Sequence, residues 1–298
     1  MDKVKRAWII APFGACLLLL GFQPALAETQ DCTNITAIPA TISTQGVYCL
    51  KQHESAALAS GAAITINVNN VTLDCNEFKI GNLAAGSGTN ATGVQASGRI
   101  NVTVRNCGIR GFRNGVMLTN GLYRVENNRF DQQTQSGITV SGDGSVLRGN
   151  EVVDTGGSTV PGIDEFVGIN SSGDMDLIDN TVDAVVATGG SDGDVFGILT
   201  SDNDAGTIKG NRIRNLAADG SGSRAGIWSA GGNHVTIEGN TVVLNSPLII
   251  GEAGIRCGDG LLLNGASRDN TILGTGLLNE VLALLNCSPA GGDFVNPL

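Results

Sequence analysis

The sequence predicts an all-β fold, a single-domain parallel β-helix of about eight coils with a cap at each end. Three observations predict it: a repeated Gly-Val/Ile pair, a repeated asparagine between these pairs, and short apolar strands of period two without helical periodicity. A repeat this short cannot bury its own apolar side chains, so successive copies have to stack on one another.

Two columns of residues define the repeat. The first is a glycine followed by Val or Ile, found at Gly93, Gly115, Gly137, Gly168, Gly197, Gly226 and Gly254. The second is an asparagine after an aliphatic residue, found at Asn76, Asn128, Asn150, Asn180, Asn211, Asn240 and Asn270, with Cys107 replacing it in one copy. Stacked asparagines are expected to form a ladder at a bend, each side-chain amide bonding the next.

Composition restricts the class of protein. Of 298 residues 43 are glycine, yet hydrophobic residues make up 41%, so the chain has enough aliphatic surface to form a core. The formal net charge of −10 leaves no basic stripe to neutralise phosphates, which argues against a nucleic-acid partner. The only histidines are His53 and His234, and this nearly excludes a metal centre built on histidine.

Residues 1–27 have the pattern of a signal peptide. A positively charged start is followed by an apolar stretch over residues 7–22 and by the A-x-A cleavage site Ala25-Leu26-Ala27. The apolar stretch is short for a spanning helix, so no membrane span is expected once the signal is removed. The sequence therefore predicts a secreted or periplasmic protein.

Six cysteines remain after the signal peptide. In an exported chain without C-x-x-C spacing they indicate disulfides rather than a metal site. Six cysteines allow fifteen pairings, and the sequence does not choose between them. Their order along the chain suggests the pairs Cys32–Cys49, Cys75–Cys107 and Cys257–Cys287.

The stretches 71–76 (VTLDCN) and 101–106 (NVTVRN), followed by the repeats, resemble the right-handed parallel β-helix proteins of the pectate-lyase-like superfamily. The resemblance covers about residues 60–275 and implies the fold. It does not select a function, because this fold serves lyases, hydrolases, epimerases, adhesins and maturation factors. The W-x-D-H and R-x-P-x-x-R motifs of the pectate lyases and the G-H-G motif of the polygalacturonases are missing.

Both ends of the predicted helix body, residues 61–275, need covering, since open ends invite edge-to-edge association. Residues 28–60 are predicted to form an N-terminal cap with a short helix around Glu54–Ser60. Residues 276–298 are predicted to form a C-terminal cap, in which Leu277–Leu285 has helix-like composition and Cys287 supplies a disulfide.

One corner of the repeat varies in length. The spacing from the ladder position to the next repeated glycine is 8 or 9 residues after positions 107 and 128, but 18, 17, 15 and 14 residues after positions 150, 180, 211 and 240. Four long loops are therefore expected to project from one side, where solenoids commonly bind ligands. Neutral drift of loop length is the alternative explanation.

The long loops are acidic, and this suggests a site. Glu165 and Asp194 each stand three residues before their repeat's glycine, so register places them on adjacent coils. Facing carboxylates favour either a shared proton or a bridging cation. The predicted metal ligands, with calcium as the ion considered, are Asp164, Glu165, Asp192 and Asp194, and the candidate catalytic residues are Glu165, Asp194 and Arg224. The alternative is that these charges only aid solubility.

Two residues after each repeated glycine, an outward column is expected. It contains Gln95, Met117, Thr139, Asn170, Leu199, Trp228 and Arg256. Trp228 is the one tryptophan outside the signal peptide, and with Arg256 and Asn170 it is a candidate for binding a sugar ring. A long loop folded over Trp228 is the alternative.

Two classes of function remain. The first is binding or processing of a polysaccharide or envelope glycan on the long-loop side; if this is catalytic, the chain would be a polysaccharide lyase or glycoside hydrolase, for example a calcium-assisted lyase on an acidic glycan. The second is a non-catalytic structural or adhesive module of the cell envelope. The sequence contains no established catalytic motif, so it leaves open whether the protein is an enzyme.

Overall fold

The computed structural model describes residues 31–203, 205–231, 234–245, 252–258, 266–274 and 284–297. The strands of the first half are β1 (Thr33–Asn34), β2 (Ala40–Ile42), β3 (Gly46–Cys49), β4 (Glu54–Ser55), β5 (Ala62–Ile66), β6 (Val71–Asp74), β7 (Lys79–Gly81), β8 (Thr92–Ser97), β9 (Ile100–Arg105), β10 (Gly108–Arg110), β11 (Asn114–Thr119), β12 (Leu122–Glu126), β13 (Arg129–Asp131), β14 (Ser136–Ser141), β15 (Ser145–Arg148) and β16 (Glu151–Gly156).

The strands of the second half are β17 (Glu165–Ser172), β18 (Met175–Ile178), β19 (Thr181–Val186), β20 (Asp194–Ser201), β21 (Thr207–Lys209), β22 (Arg212–Ala217), β23 (Arg224–Ala230), β24 (Thr236–Glu238), β25 (Thr241–Leu244), β26 (Ala253–Cys257), β27 (Ala266–Arg268), β28 (Thr271–Gly274), β29 (Leu284–Leu285), β30 (Ser288–Gly291) and β31 (Phe294–Pro297). The described residues contain no α-helix, only one 3-10 turn at Leu83–Ala85.

The strands form three parallel sheets, which confirms the predicted all-β solenoid. Sheet A has the order β1-β3-β6-β9-β12-β15-β18-β21-β24-β27-β30. Sheet B has the order β2-β5-β8-β11-β14-β17-β20-β23-β26-β29. Sheet C has the order β4-β7-β10-β13-β16-β19-β22-β25-β28-β31. Each turn of the chain adds one strand to each sheet, so equivalent residues of successive turns lie about 4.8 Å apart.

The core is built from columns of equivalent aliphatic residues. In sheet A, Leu73, Val104, Val125, Leu147 and Leu177 are in register and fully buried. The glycine column of sheet B exists because no side chain fits there. At Gly168, an added Cβ would lie 2.5 Å from Val182 Cγ1 of sheet C and 2.6 Å from the carbonyl oxygen of Gly197.

The predicted asparagine ladder runs along the bend between sheets A and C through Asn128, Asn150, Asn180, Asn211, Asn240 and Asn270. At each step the side-chain oxygen accepts both the main-chain N–H and the side-chain amide of the preceding asparagine, for example at 3.0 and 2.9 Å between Asn150 and Asn180. The second amide hydrogen reaches a buried carbonyl oxygen, such as that of Leu147 for Asn180 at 2.9 Å. Asp293 ends the ladder, because its Oδ1 accepts the main-chain N–H and the side-chain amide of Asn270.

At its first turns the ladder departs from prediction. Cys107 occupies a ladder position as expected, and its N–H donates to Asn128 Oδ1 at 3.0 Å. Asn76 was expected in the preceding position, but Cys75 is the residue that joins Cys107, through a disulfide. Two additional residues separate β6 from β7 relative to the next turn, which shifts Asn76 to a left-handed conformation (φ 48°).

The three suggested disulfides are confirmed. They join Cys32 to Cys49, Cys75 to Cys107 and Cys257 to Cys287. Each links residues from neighbouring turns; at the N-terminus, Cys32 directly precedes β1 and Cys49 ends the neighbouring strand β3 of sheet A.

The ends of the chain join the same sheets. The short helix expected around Glu54–Ser60 is wrong: Glu54–Ser55 is strand β4, paired with β7, and residues 56–60 are not helical, because main-chain pairing with the next turn replaces local bonds. Leu284–Leu285 is strand β29, whereas residues 275–283 and the predicted signal peptide lie outside the described residues. Whether the end turns act as caps stays a prediction. In the described part of the chain, no helix is long and apolar enough to cross a membrane.

Candidate functional site

A groove of about 380 Å³ lies on the outer face of sheet B. It is lined mainly by amide and hydroxyl side chains, together with one arginine and one glutamate: Asn90, Thr92, Gln95, Arg113, Asn114, Gln135, Ser136, Thr139, Glu165 and Asn170. These residues come from equivalent positions of four successive turns, β8, β11, β14 and β17 with the corners before them. The groove therefore runs parallel to the axis of the solenoid.

Unequal corners between sheets C and B shape this groove. The corners at 111–113 and 132–135 are short, whereas the corners on either side, 82–91 and 157–164, are long. The two long corners touch across the short ones: the Thr159 N–H donates to the carbonyl oxygen of Ser87 at 3.1 Å. The groove is thus placed where the loops are shortest, between two projecting loops.

Arg113 carries the positive charge of the groove. Its Nε donates to Gln135 Oε1 at 2.6 Å, and its Nη1 donates to Asn90 Oδ1 at 2.9 Å. Both acceptors are neutral amides, and no carboxylate of the described residues lies within ion-pair distance of this guanidinium. The amides hold the side chain in place without neutralising it, so Arg113 presents to a ligand a cation that has no ion-pair partner among the described residues.

Arg113, Gln135 and Asn90 were not identified from the sequence. The lengths of the corners could have indicated the groove, because two short corners lie between long ones. The long spacing of 17 residues from Asn76 to Gly93 completes the pattern on the N-terminal side. The sequence prediction considered only the acidic long loops, and it therefore missed the groove at the short corners beside them.

Glu165 and Asp194 are adjacent, as register predicted, since they are direct partners in the pairing of β17 with β20. Partial burial raises the pKa of the Glu165 carboxyl above its ordinary value, and the negative charges of Asp194 and Asp164 raise it further. Asp194 uses one oxygen to accept the Ser223 N–H at 2.6 Å. Of the two carboxylates, Glu165 is the one that lines the groove.

Other acids of the long loops bond to the loop of a neighbouring turn. Asp192 accepts the Ser221 N–H at 2.9 Å, and Asp219 accepts the Gly190 N–H at 2.7 Å. These carboxylates order one loop against the next.

The predicted calcium site has little support in this geometry. In the part of the chain that the structure describes, no group of three or more His, Cys, Asp or Glu side chains is placed to hold a metal ion. Calcium takes six to eight oxygen ligands, far more than the Glu165–Asp194 pair supplies. Calcium binding at Asp164, Glu165, Asp192 and Asp194 stays a prediction, and it takes no part in the function proposed below.

Arg224 lies away from the groove, in the core column that begins with Phe166 and Val195. Its Nε is 3.1 Å from Glu252 Oε1, and the two side chains are 5% and 7% exposed. An ion pair thus occupies positions that the two preceding turns fill with apolar side chains. This burial removes Arg224 from contact with a ligand in the groove.

The outward column has the predicted register, with Asn170, Leu199, Trp228 and Arg256 paired in series. Asn170 lines the groove. The Trp228 ring packs against Phe196 at a centroid distance of 5.0 Å, and the Arg256 guanidinium lies 4.4 Å from the centroid of the same ring. Arg256 therefore occupies a ring face that a stacking sugar would need.

The raised pKa of Glu165 predicts a pH-dependent stability difference. Ionisation of the Glu165 carboxyl is less favourable in the folded protein than in the unfolded chain. Protonation of Glu165 therefore stabilises the folded state; this contribution is complete below the ordinary pKa of 4.5 and is lost as the pH rises through the pKa of the folded state. We expect Glu165→Gln to melt at a higher temperature than the parent at pH 7, with the gap closing in acid. Asp31→Asn at an exposed position is the control, and a gap that is equal at both pH values would contradict the assignment.

Comparison with known proteins identifies the family. The family model described as "Right handed beta helix region" matches residues 92–275, which is more than half of the chain. Among solved structures the chain is similar to the A-module of the mannuronan C-5 epimerase AlgE6 of Azotobacter vinelandii, at 12% identity and a TM-score of 0.37, over 89% of this chain and 90% of that chain. A likeness at this level supports no conclusion about activity. No curated protein matches the chain. On the family match, the chain belongs to the right-handed β-helix family.

Proposed function

We propose that the protein binds an acidic polysaccharide in the groove on the outer face of sheet B. The observation that carries this proposal is Arg113, a cation held by two neutral amides in a groove of hydrogen-bonding side chains. Amides and hydroxyls match the hydroxyl groups of a sugar, and a guanidinium matches a carboxylate. In a chain of net charge −10, such a cation is well suited to select an anionic ligand locally.

The shape of the groove favours a linear ligand. Equivalent side chains repeat at each turn, about 4.8 Å apart along the solenoid axis. An extended polymer lying along this axis would meet amide or hydroxyl groups at each step, with Met117 and Val167 as apolar positions between them. A compact small molecule would use only part of such an open, shallow surface.

Binding rather than chemistry is the function that the site supports best. Glu165 is the one carboxyl group among the groove residues, and Arg224 is paired with Glu252 in the core. Asp194 is the register partner of Glu165, but it accepts the Ser223 N–H and is not among the groove residues, so the groove itself offers a single carboxyl group for processing. A structural or adhesive role in the cell envelope is the alternative if no glycan binds.

Export is part of the proposal. The three disulfides favour an oxidising compartment, and the signal peptide predicted over residues 1–27 would direct the chain there. A secreted or periplasmic protein would meet polysaccharides of the cell envelope or of the surroundings.

Arg113→Gln tests the proposed function. We expect it to weaken binding of polygalacturonate or alginate by about 10- to 100-fold, the effect of losing one charge-assisted contact, in affinity electrophoresis or calorimetry. Arg148→Gln is the matched control, because it removes the same charge from an exposed position on sheet A and should leave binding unchanged. Equal weakening by both variants would indicate a general charge effect, and no binding by the parent would favour the structural role.

A further inference from the structure

Beyond the groove, the outer face of sheet B continues toward the C-terminal end of the solenoid. Its lining changes there from polar to apolar. Val167, at the edge of the groove, forms a small second cluster with Phe196 and Ala225, and Leu199 and Trp228 pack against this cluster. Arg256, on the next strand, lies over the Trp228 ring. This end of the face is apolar where the groove is polar, but like the groove it carries an arginine.

Arg256 has no ion-pair partner within the described ranges. Most arginines of this chain have one: Arg105, Arg110, Arg124, Arg129, Arg214, Arg224 and Arg268 each lie within 4.0 Å of a carboxylate. Five arginines of the described residues do not: Arg113 and Arg256 lie on the outer side of sheet B, whereas Arg99 lies between β8 and β9, Arg148 on sheet A and Arg212 on sheet C. Both guanidinium groups thus lie on one face of an acidic protein without an ion-pair partner among the described residues, so one anionic ligand could contact both.

Two hydrogen-bond donors at this end also lack acceptors. Trp228 Nε1 and Arg256 Nε are buried, and neither has a hydrogen-bond partner among the described residues. Burying a donor without an acceptor costs free energy, because the donor loses its hydrogen bond to water. The cation–π contact with Trp228 orients the guanidinium but satisfies neither of these N–H groups.

We propose that Trp228 and Arg256 form a second anion subsite, which binds a carboxylate of the same polysaccharide chain that occupies the groove. A carboxylate supplies the missing acceptors and the missing negative charge together. The subsite therefore uses the edge N–H of the indole and the fork of the guanidinium, not the face of the ring. This inference rests on the function proposed above and adds a minimum ligand length to it.

The minimum length follows from the register. Arg113 immediately precedes β11, and Arg256 lies on β26, five strands further along sheet B. Five inter-strand steps amount to roughly 24 Å along the axis. A disaccharide is far shorter than this and can reach one arginine, whereas an octasaccharide can reach both.

A length series of oligogalacturonates tests the subsite. We expect Arg256→Gln to weaken octasaccharide binding by about tenfold and to leave disaccharide binding unchanged, whereas Arg113→Gln weakens both. Trp228→Phe retains an aromatic ring but lacks the N–H, and it should give a smaller loss confined to the octasaccharide. Arg148→Gln is again the control for charge, and thermal melts of all variants show whether each one folds.

Tryptophan fluorescence gives a second readout. Trp8 lies in the predicted signal peptide, so Trp228 is the single tryptophan of the processed chain. Its emission should change when the octasaccharide binds and stay constant with the disaccharide. Octasaccharide binding that is insensitive to Arg256→Gln and silent in fluorescence would overturn the second subsite while leaving the groove intact. If no oligosaccharide binds to the parent, the proposed function itself fails.

Discussion

Replacing Asn180 by alanine is expected to destabilise the folded protein by about 3–5 kcal/mol. The change leaves three buried groups without their partner: the main-chain N–H of Asn150, one hydrogen of its side-chain amide, and the carbonyl oxygen of Leu147. Each such group costs about 1–3 kcal/mol when it is left unpaired in the interior. Because Asn180 lies in the middle of the ladder, water cannot easily replace the missing amide.

Denaturant unfolding followed by circular dichroism measures this effect. Asn34→Ala is the control, since Asn34 is exposed in a strand outside the ladder and should change stability little. Asn180→Asp should be at least as damaging as alanine, because its second oxygen would face the carbonyl oxygen of Leu147 and the side-chain oxygen of Asn211. A loss below about 1 kcal/mol for both variants would contradict the structural role of the ladder.

Removing one member of the Arg224–Glu252 pair is expected to cost about 3–5 kcal/mol, because it leaves the other charge in the core column. Replacing both members by apolar residues should cost less than either single change. Buried ion pairs are expensive to desolvate, and the preceding turns already place Phe166 and Val195 at these positions. The Arg224–Glu252 pair therefore places two charged side chains in a column whose preceding positions are apolar.

A double-mutant cycle with Arg224→Met and Glu252→Leu measures the coupling. We expect an interaction free energy of about 2 kcal/mol or more between the two positions. The matched control is the exposed pair Arg129 and Glu151, for which the same cycle should give at most about 1 kcal/mol. Strictly additive single effects at 224 and 252 would show that the two side chains do not depend on each other.

The sequence was sufficient for the fold because its repeats encode register directly. The glycine column, the asparagine ladder from Asn128 to Asn270 and the outward column ending at Arg256 recur in the structure with the predicted neighbours, whereas Asn76 does not join the ladder. The short helix expected around Glu54–Ser60 was wrong. There, pairing of β4 with β7 satisfies the main chain, so tertiary context overrides the local preference.

The site was harder to predict because it depends on contacts between distant corners. Ser87 and Thr159 are 72 residues apart, and their contact helps to define a groove that neither local sequence reveals. Charge alone was a poor guide, since Asp192 and Asp194 satisfy N–H groups of the next loop and Arg224 pairs with Glu252. Arg113 is identified only when its partners Gln135 and Asn90 are seen to be neutral.

A crystal structure of the processed chain with an oligogalacturonate octasaccharide tests the central claim most directly. The account predicts a sugar chain along the outer face of sheet B, parallel to the solenoid axis, with one carboxylate about 2.8 Å from the Arg113 guanidinium and another beside Arg256. An octasaccharide bound to a different face, or a groove that stays empty at saturating ligand, would contradict it.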